Sequence, residues 1–197
     1  MTYKLIILPK KMKTTNIFKA LLLSVLFISC KNENKEEQVI DSTKPKVEIL
    51  ENFNVIIDAS ASKNDNFSMY FSEDGTGNFS EQNAVWRDVK GGGENQKILF
   101  DLTEEKIPTN IRLDFGLNKE QDSVVINSIK VNYYANSFEF KGSDFFLYFN
   151  KDEQFKYNIN PSKGTLTLYK QDVEYKTPFF YPTQLTNDKV KEITTKK

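Results

Sequence analysis

From Val47 onward apolar and polar residues alternate along the chain with a period of two, broken at short intervals by turn-forming clusters. Phe53, Val55 and Ile57 form one such series, and Phe67, Met69 and Phe71 another. Ile98, Phe100 and Leu102 repeat the pattern, then Ile111, Leu113 and Phe115, then Ile129, Val131 and Tyr133. Shorter pairs follow at Phe138 and Phe140, Leu147 and Phe149, and Leu166 and Leu168. Successive side chains of a strand point to opposite faces, so this alternation predicts strands with one buried face each. The separators are Lys63-Asn64-Asp65-Asn66, residues 74–78, Gly91-Gly92-Gly93, Pro108-Thr109-Asn110, Lys141-Gly142-Ser143 and Pro161-Ser162-Lys163-Gly164. Such residues favour turns. No window of the domain carries a helical period. The expectation is an all-β antiparallel sandwich or jelly roll over residues 47–182, two stacked sheets with phenylalanines filling the space between them. A polar tail, residues 183–197, is expected to fray. Lys176-Thr-Pro-Phe-Phe-Tyr-Pro182 is expected to close the sandwich.

The N-terminal part has a different texture. Lys10, Lys11, Lys13 and Lys19 precede an apolar run from Ala20 to Ser29, and Cys30 follows it. The run is about ten residues, too short for a membrane span of about 20. A basic start, an apolar middle and a small residue before the cut describe an export signal. A cysteine directly after it makes the segment a bacterial lipoprotein signal, residues 1–29, with Phe27 where leucine is commonest. Cys30 would then carry the acyl chains, and two or more chains hold a protein stably on a membrane. Met12 is an alternative start that gives a basic region of ordinary length. Residues 30–46 read as the lipidated cysteine and a flexible tether. Its Lys31–Glu37 stretch resembles surface-export signals, which leaves open the periplasmic and cell-surface faces of a bacterial outer membrane.

Composition narrows the chemistry. The whole chain is neutral, but the signal holds five lysines, and its removal leaves 22 basic against 27 acidic residues, a net charge of −5. That balance argues against nucleic acid as a partner. There is no histidine, and Cys30 is the single cysteine. Serine–histidine and cysteine–histidine catalysis and most zinc chemistry are therefore closed to this chain. The expectation is no enzyme, no catalytic residue and no metal or other cofactor.

Asp65–Phe71, Gln96–Leu102, Ile111–Gly116 and Val125–Val131 together resemble strands of the galactose-binding-domain-like jelly rolls, which are similar to carbohydrate-binding modules. The resemblance covers about two thirds of the chain and implies an appended-domain fold of bacterial surface glycan proteins. A sugar needs an aromatic face for its apolar side and planar polar groups for its hydroxyls. Trp86, Arg87 and Asp88 supply these in one tripeptide near loops, and Tyr70, on the polar face of its strand, offers a second platform. The competing reading makes Trp86 a plug at one end of the sandwich and pairs Arg87 with Asp88. Arg112 and Asp114 share a strand face and are read mainly as a structural pair. The loop Ser72–Asn78 has oxygen donors that would suit a structural calcium ion, although its spacing is not that of an EF-hand and ordinary turn composition is the preferred reading. The leading expectation is a membrane-anchored, non-catalytic sandwich that binds glycan. The alternatives are a structural or protein-interaction lipoprotein and a small carboxylate-based glycoside hydrolase.

Overall fold

The computed structural model describes residues 51–170 and 174–195. The signal, Cys30 and the tether lie outside the described residues. Ten strands and two helices follow in order: β1 (Asn54–Ala61), β2 (Asp65–Ser72), β3 (Ala84–Val89), β4 (Gln96–Asp101), β5 (Asn110–Phe115), β6 (Ser123–Tyr133), β7 (Asn136–Lys141), α1 (Phe145–Tyr148), β8 (Tyr157–Asn160), β9 (Thr165–Tyr169), β10 (Phe179–Phe180) and α2 (Gln184–Thr195). They build two antiparallel sheets. The six-stranded sheet runs β4-β1-β6-β9-β8, with β7 also paired to β6, and the four-stranded sheet runs β10-β5-β2-β3. The expected all-β sandwich is the observed architecture.

The alternating residues point inward as their spacing requires. Val55, Ile57, Phe67, Met69, Phe100, Ile111, Leu113, Phe115, Ile129 and Val131 are all at most 1% exposed. Each such side chain contributes about 1.5–3 kcal/mol when buried. In β6 the inward set is Val124 and Ile126, then Ile129 and Val131. A strict period of two would send the second pair outward. A bulge opposite Asp58/Ala59 absorbs Asn127 and restores the phase. The Asn127 amide anchors it by donating to Asp58 Oδ1 at 2.9 Å and Asn95 Oδ1 at 3.1 Å.

One flank of β6 serves two partners. Its residues 123–126 pair with β9 and residues 128–133 with β7. The chain leaves β7 through Gly142, at the break between them. A Cβ at this position would collide with backbone, with the Ile126 carbonyl and with the Leu166 nitrogen 2.7 Å away. Only glycine lets three backbones meet there.

Three expectations are corrected. The segment around Leu147 and Phe149 is not a strand: Phe145–Tyr148 is a helical turn that buries Phe145 and leaves Leu147 63% exposed. Trp86 lies on a strand, β3, rather than near a loop. The polar tail from Thr183 does not fray, since Gln184–Thr195 is helix. Thr186, Val190 and Ile193 stand four and three residues apart and are buried at 1%, 0% and 4% exposure, which is a helical stripe. The helix packs against β5, β6, β7 and α1. The Tyr148 carbonyl at the end of α1 accepts from the Thr183 N–H at 2.8 Å and the Thr183 hydroxyl at 3.0 Å, and also from the Thr186 hydroxyl. Tertiary contacts hold a helix whose own sequence is polar and threonine-rich. Among the described residues no helix is long and apolar enough to cross a membrane.

Candidate functional site

In the four-stranded sheet Phe67, Met69 and Phe71 of β2 and Ile111, Leu113 and Phe115 of β5 face the core. Their chain neighbours therefore form the outer face. Register aligns these neighbours into rows. Phe179, Asp114, Ser68 and Trp86 lie directly opposite one another across β10, β5, β2 and β3. Arg112, Tyr70 and Ala84 make the next row, and Asn66 faces Asp88 on the other side.

The centre of the face is Arg112. Its Nε donates to Asp114 Oδ1 at 2.9 Å and its Nη2 to Asp114 Oδ2 at 2.7 Å, the bidentate geometry of a strong guanidinium–carboxylate pair. Four rings surround the guanidinium: Tyr70 at 4.1 Å, Phe79 at 5.6 Å, and Phe179 and Tyr181 at 5.7 Å each. Such contacts favour a cation over an aromatic face. Burial pushes the Asp114 carboxyl above its ordinary value, and Arg112 pulls against it. The expected structural pairing of Arg112 with Asp114 is what the outer face contains.

Tyr70 is only 4% exposed. Arg112 covers its face, Trp86 stands edge-on at 6.2 Å, and its hydroxyl donates to Glu81 Oε1 at 2.5 Å. Burial first, and then the bond to Glu81, push its phenol up to about 12. The idea of Tyr70 as an open platform is thus corrected: it is the buried support on which Trp86 and Arg112 rest. The open rings are Trp86 at 39%, Phe179 at 36% and Tyr181 at 41% exposure. Between them the floor is polar. Ser68 is 1% exposed, and its hydroxyl makes no hydrogen bond.

Beyond Trp86 the face opens into a cleft of about 570 Å³ whose lining includes Asn64, Asp65, Asn66, Asp88, Lys90 and Asn118. Asp65 holds this end together. Its Oδ1 accepts from the N–H groups of Asn66, Leu117 and Asn118 at 2.7–2.9 Å, and its Oδ2 from the Gln121 amide at 2.9 Å. Gly116, at φ +106°, passes so close that a Cβ would sit 2.5 Å from Asp65 Oδ2. Asp88 accepts from the Asn66 amide at 2.6 Å.

Arg87 stands apart from Trp86 and Asp88. It alternates to the other side of β3, where Nε donates to the Leu99 carbonyl at 2.7 Å and Nη2 pairs with Asp101. It therefore ties the β3 edge of one sheet to the β4 edge of the other, and does not pair with Asp88. Of the four expected ligand residues, Tyr70, Trp86 and Asp88 share one face and Arg87 does not.

The loop Ser72–Asn78 spends its carboxylates on a turn contact and on an ion pair to the neighbouring loop. Asp74 Oδ1 accepts from the Thr76 N–H at 2.9 Å and its hydroxyl at 2.8 Å, and Glu73 binds Lys106 at 2.9 Å. Among the described residues no cluster of three metal-ligating side chains occurs.

Phe79, Ser68, Phe179 and Tyr181 were passed over as site residues. Two signals could have found the last three, and none marks Phe79. Phe179 and Tyr181 flank the inward Phe180, and Ser68 precedes Tyr70 by two, so each pair shares a face. Across-strand alignment, however, is not written in any one segment. The fold and this face define a β-sandwich with an aromatic and polar outer surface on its smaller sheet. Comparison with family models, curated proteins and solved structures returns no match.

Proposed function

We propose that this chain is a lipid-anchored protein of the bacterial outer membrane, held through Cys30, whose non-catalytic sandwich binds carbohydrate on the outer face of its four-stranded sheet. The observation that carries the reading is the adjacency of Trp86, an open indole braced from behind by Tyr70, to a cleft lined by amide and carboxylate groups. An indole face matches the apolar side of a pyranose, and planar polar groups match its hydroxyls. Sites of this kind combine apolar lining with a few placed polar groups. The non-catalytic part draws support from the most buried carboxylates of the region. Both oxygens of Asp114 are engaged by Arg112, and both of Asp65 by backbone and Gln121.

The full chain should retain a set of glycans on an array, and Trp86→Ala should lose them while remaining folded by circular dichroism. Retention of the same glycans by Trp86→Ala would remove the proposed site. In cells, Cys30→Ser should move the protein from the membrane to the soluble fraction.

A further inference from the structure

We infer that the end of the domain bearing Leu147, Leu185 and Tyr134 rests on the lipid surface that holds the Cys30 acyl chains, with the polar cleft beside Trp86 turned away from it. This rests on the lipid-anchor reading above and adds the orientation of the domain on its membrane. Residues 31–50 separate Cys30 from Glu51, the first described residue. Even fully extended, that length of chain reaches at most about 70 Å. Contact between the domain and the lipid is then an intramolecular event, so a weakly attractive face is enough to populate it. The place where the chain enters the domain is set by a hydrogen bond. The Glu51 carbonyl accepts from the Tyr134 N–H at 3.2 Å, at the tip of the β6–β7 hairpin.

Two exposed leucines lie toward that tip. The helical turn α1 buries Phe145 and presents Leu147 outward at 63% exposure, the most open large apolar side chain among the described residues. Residues 147–150 run beside 181–183. The Leu147 carbonyl accepts from the Thr183 hydroxyl at 2.9 Å, Phe149 bridges to Pro182, and the Asn150 N–H donates to the Tyr181 carbonyl at 2.8 Å. Leu185, 40% exposed, follows in the first turn of α2. Tyr148, next to Leu147, stacks on Phe140 at 3.9 Å and on Phe138 at 6.1 Å. Phe138 pairs with Val131, which precedes Tyr134 by three residues, about 10 Å of strand. Tyr134 is 40% exposed at φ +51°, where a bulky residue is strained and glycine or asparagine is ordinary. The polar cleft lies at the other end of β6. Its Asp65 binds Gln121, just before the strand begins, and the 11 residues of β6 then run about 33 Å to Tyr133. One exposed leucine is ordinary. Two leucines and a strained tyrosine at the end where the anchor chain enters, opposite the polar cleft, give the domain one end for lipid and one for water. Leucine and tyrosine suit the boundary of headgroups and acyl chains, where a ring is dry on one side and its hydroxyl wet.

The test uses the acylated full chain, extracted from cell membranes and placed in vesicles of phosphatidylethanolamine and phosphatidylglycerol. Cys30 is the single cysteine, and acylation leaves it no free thiol. Leu147→Cys and Leu185→Cys therefore each offer one site for a nitrobenzoxadiazole label. Leu117→Cys, at a 49% exposed position of the cleft end, is the control. The Leu147→Cys and Leu185→Cys labels should emit at shorter wavelength than the Leu117→Cys label. They should also lose emission when doxyl-bearing lipid is included, while the Leu117→Cys label keeps its own. Water-like, unquenched emission at all three positions would overturn the inference and leave the anchor standing. A blue shift at Leu147→Cys that grows with the protein-to-lipid ratio and resists quenching would overturn it in favour of contact with a second copy. Absence of acyl mass on Cys30 would remove the anchor and the inference together.

Discussion

Replacing Arg112 with methionine would test whether the outer face is organised by charge or by rings. The variant keeps an apolar stem against Tyr70 and removes the guanidinium. Asp114 then loses both of its charge-assisted hydrogen bonds. Its side chain is 8% exposed, and that of Arg112 is 17% exposed. Removing one partner of a buried pair costs about 3–5 kcal/mol, because the remaining charge is buried uncompensated. The partial exposure of Arg112 places this case near about 3 kcal/mol. The cost should depend on pH, with a definite sign. Burial already holds the Asp114 carboxyl above its ordinary value. Without Arg112 it rises further, so the folded variant binds a proton more tightly than the unfolded chain does. The deficit is therefore full at neutral pH, above the folded-state value, and shrinks as pH falls through that value toward the ordinary carboxylate value. A second substitution, Asp114→Asn, removes the stranded charge and should recover most of the loss at pH 7. The assay is urea denaturation at pH 7 and at a series of lower values, read through Trp86, the single tryptophan of the chain. Equal stability of Arg112→Met and the unmodified chain at pH 7, or a deficit that does not change with pH, would refute the reasoning.

Two further predictions concern the raised phenols and the C-terminal helix. Tyr70 and Tyr175 are both pushed up to about 12, largely by burial, so titration followed at 295 nm should show two phenols ionising late, one of which disappears in Tyr70→Phe. The stabilising share of each raised phenol is full below the ordinary tyrosine value and is lost as pH rises through about 12; a Tyr70→Phe titration identical to that of the unmodified chain would contradict this. Ile193→Ala, at a 4% exposed position of α2, should cost about 2 kcal/mol or more in chemical denaturation, and no loss would mean that the helix is not docked.

The sandwich was legible in the sequence because period-two alternation is a local property of a strand. It survives whatever the strand pairs with, so Phe67-Met69-Phe71 and Ile111-Leu113-Phe115 declared their buried faces before any partner was known. The helix α2 was not read. Its stripe has three members, Thr186, Val190 and Ile193, and one of them is polar. Its docking depends on the Tyr148 carbonyl, which lies 38 residues earlier in the chain than Thr186. Period-two reading at Leu147 and Phe149 failed for a related reason: two apolar residues at that spacing are too few to tell a strand from the end of a helical turn.

The site divides in the same way. The amino-acid sequence by itself put Trp86 and Asp88 two residues apart, and only the strand β3 turned that spacing into a shared face. The sequence also determined that no histidine is present and that Cys30 is the only thiol. Tertiary structure alone decided that Phe179, Asp114, Ser68 and Trp86 stand in one row, because four strands far apart in the chain meet there in a register set by pairing. It alone closed Tyr70 under Arg112 and sent Arg87 to the edge between the sheets. Alternation gives each residue a side of its own strand. Which residues become neighbours on that side is settled only when non-local strands pair, and a binding face is made of neighbours.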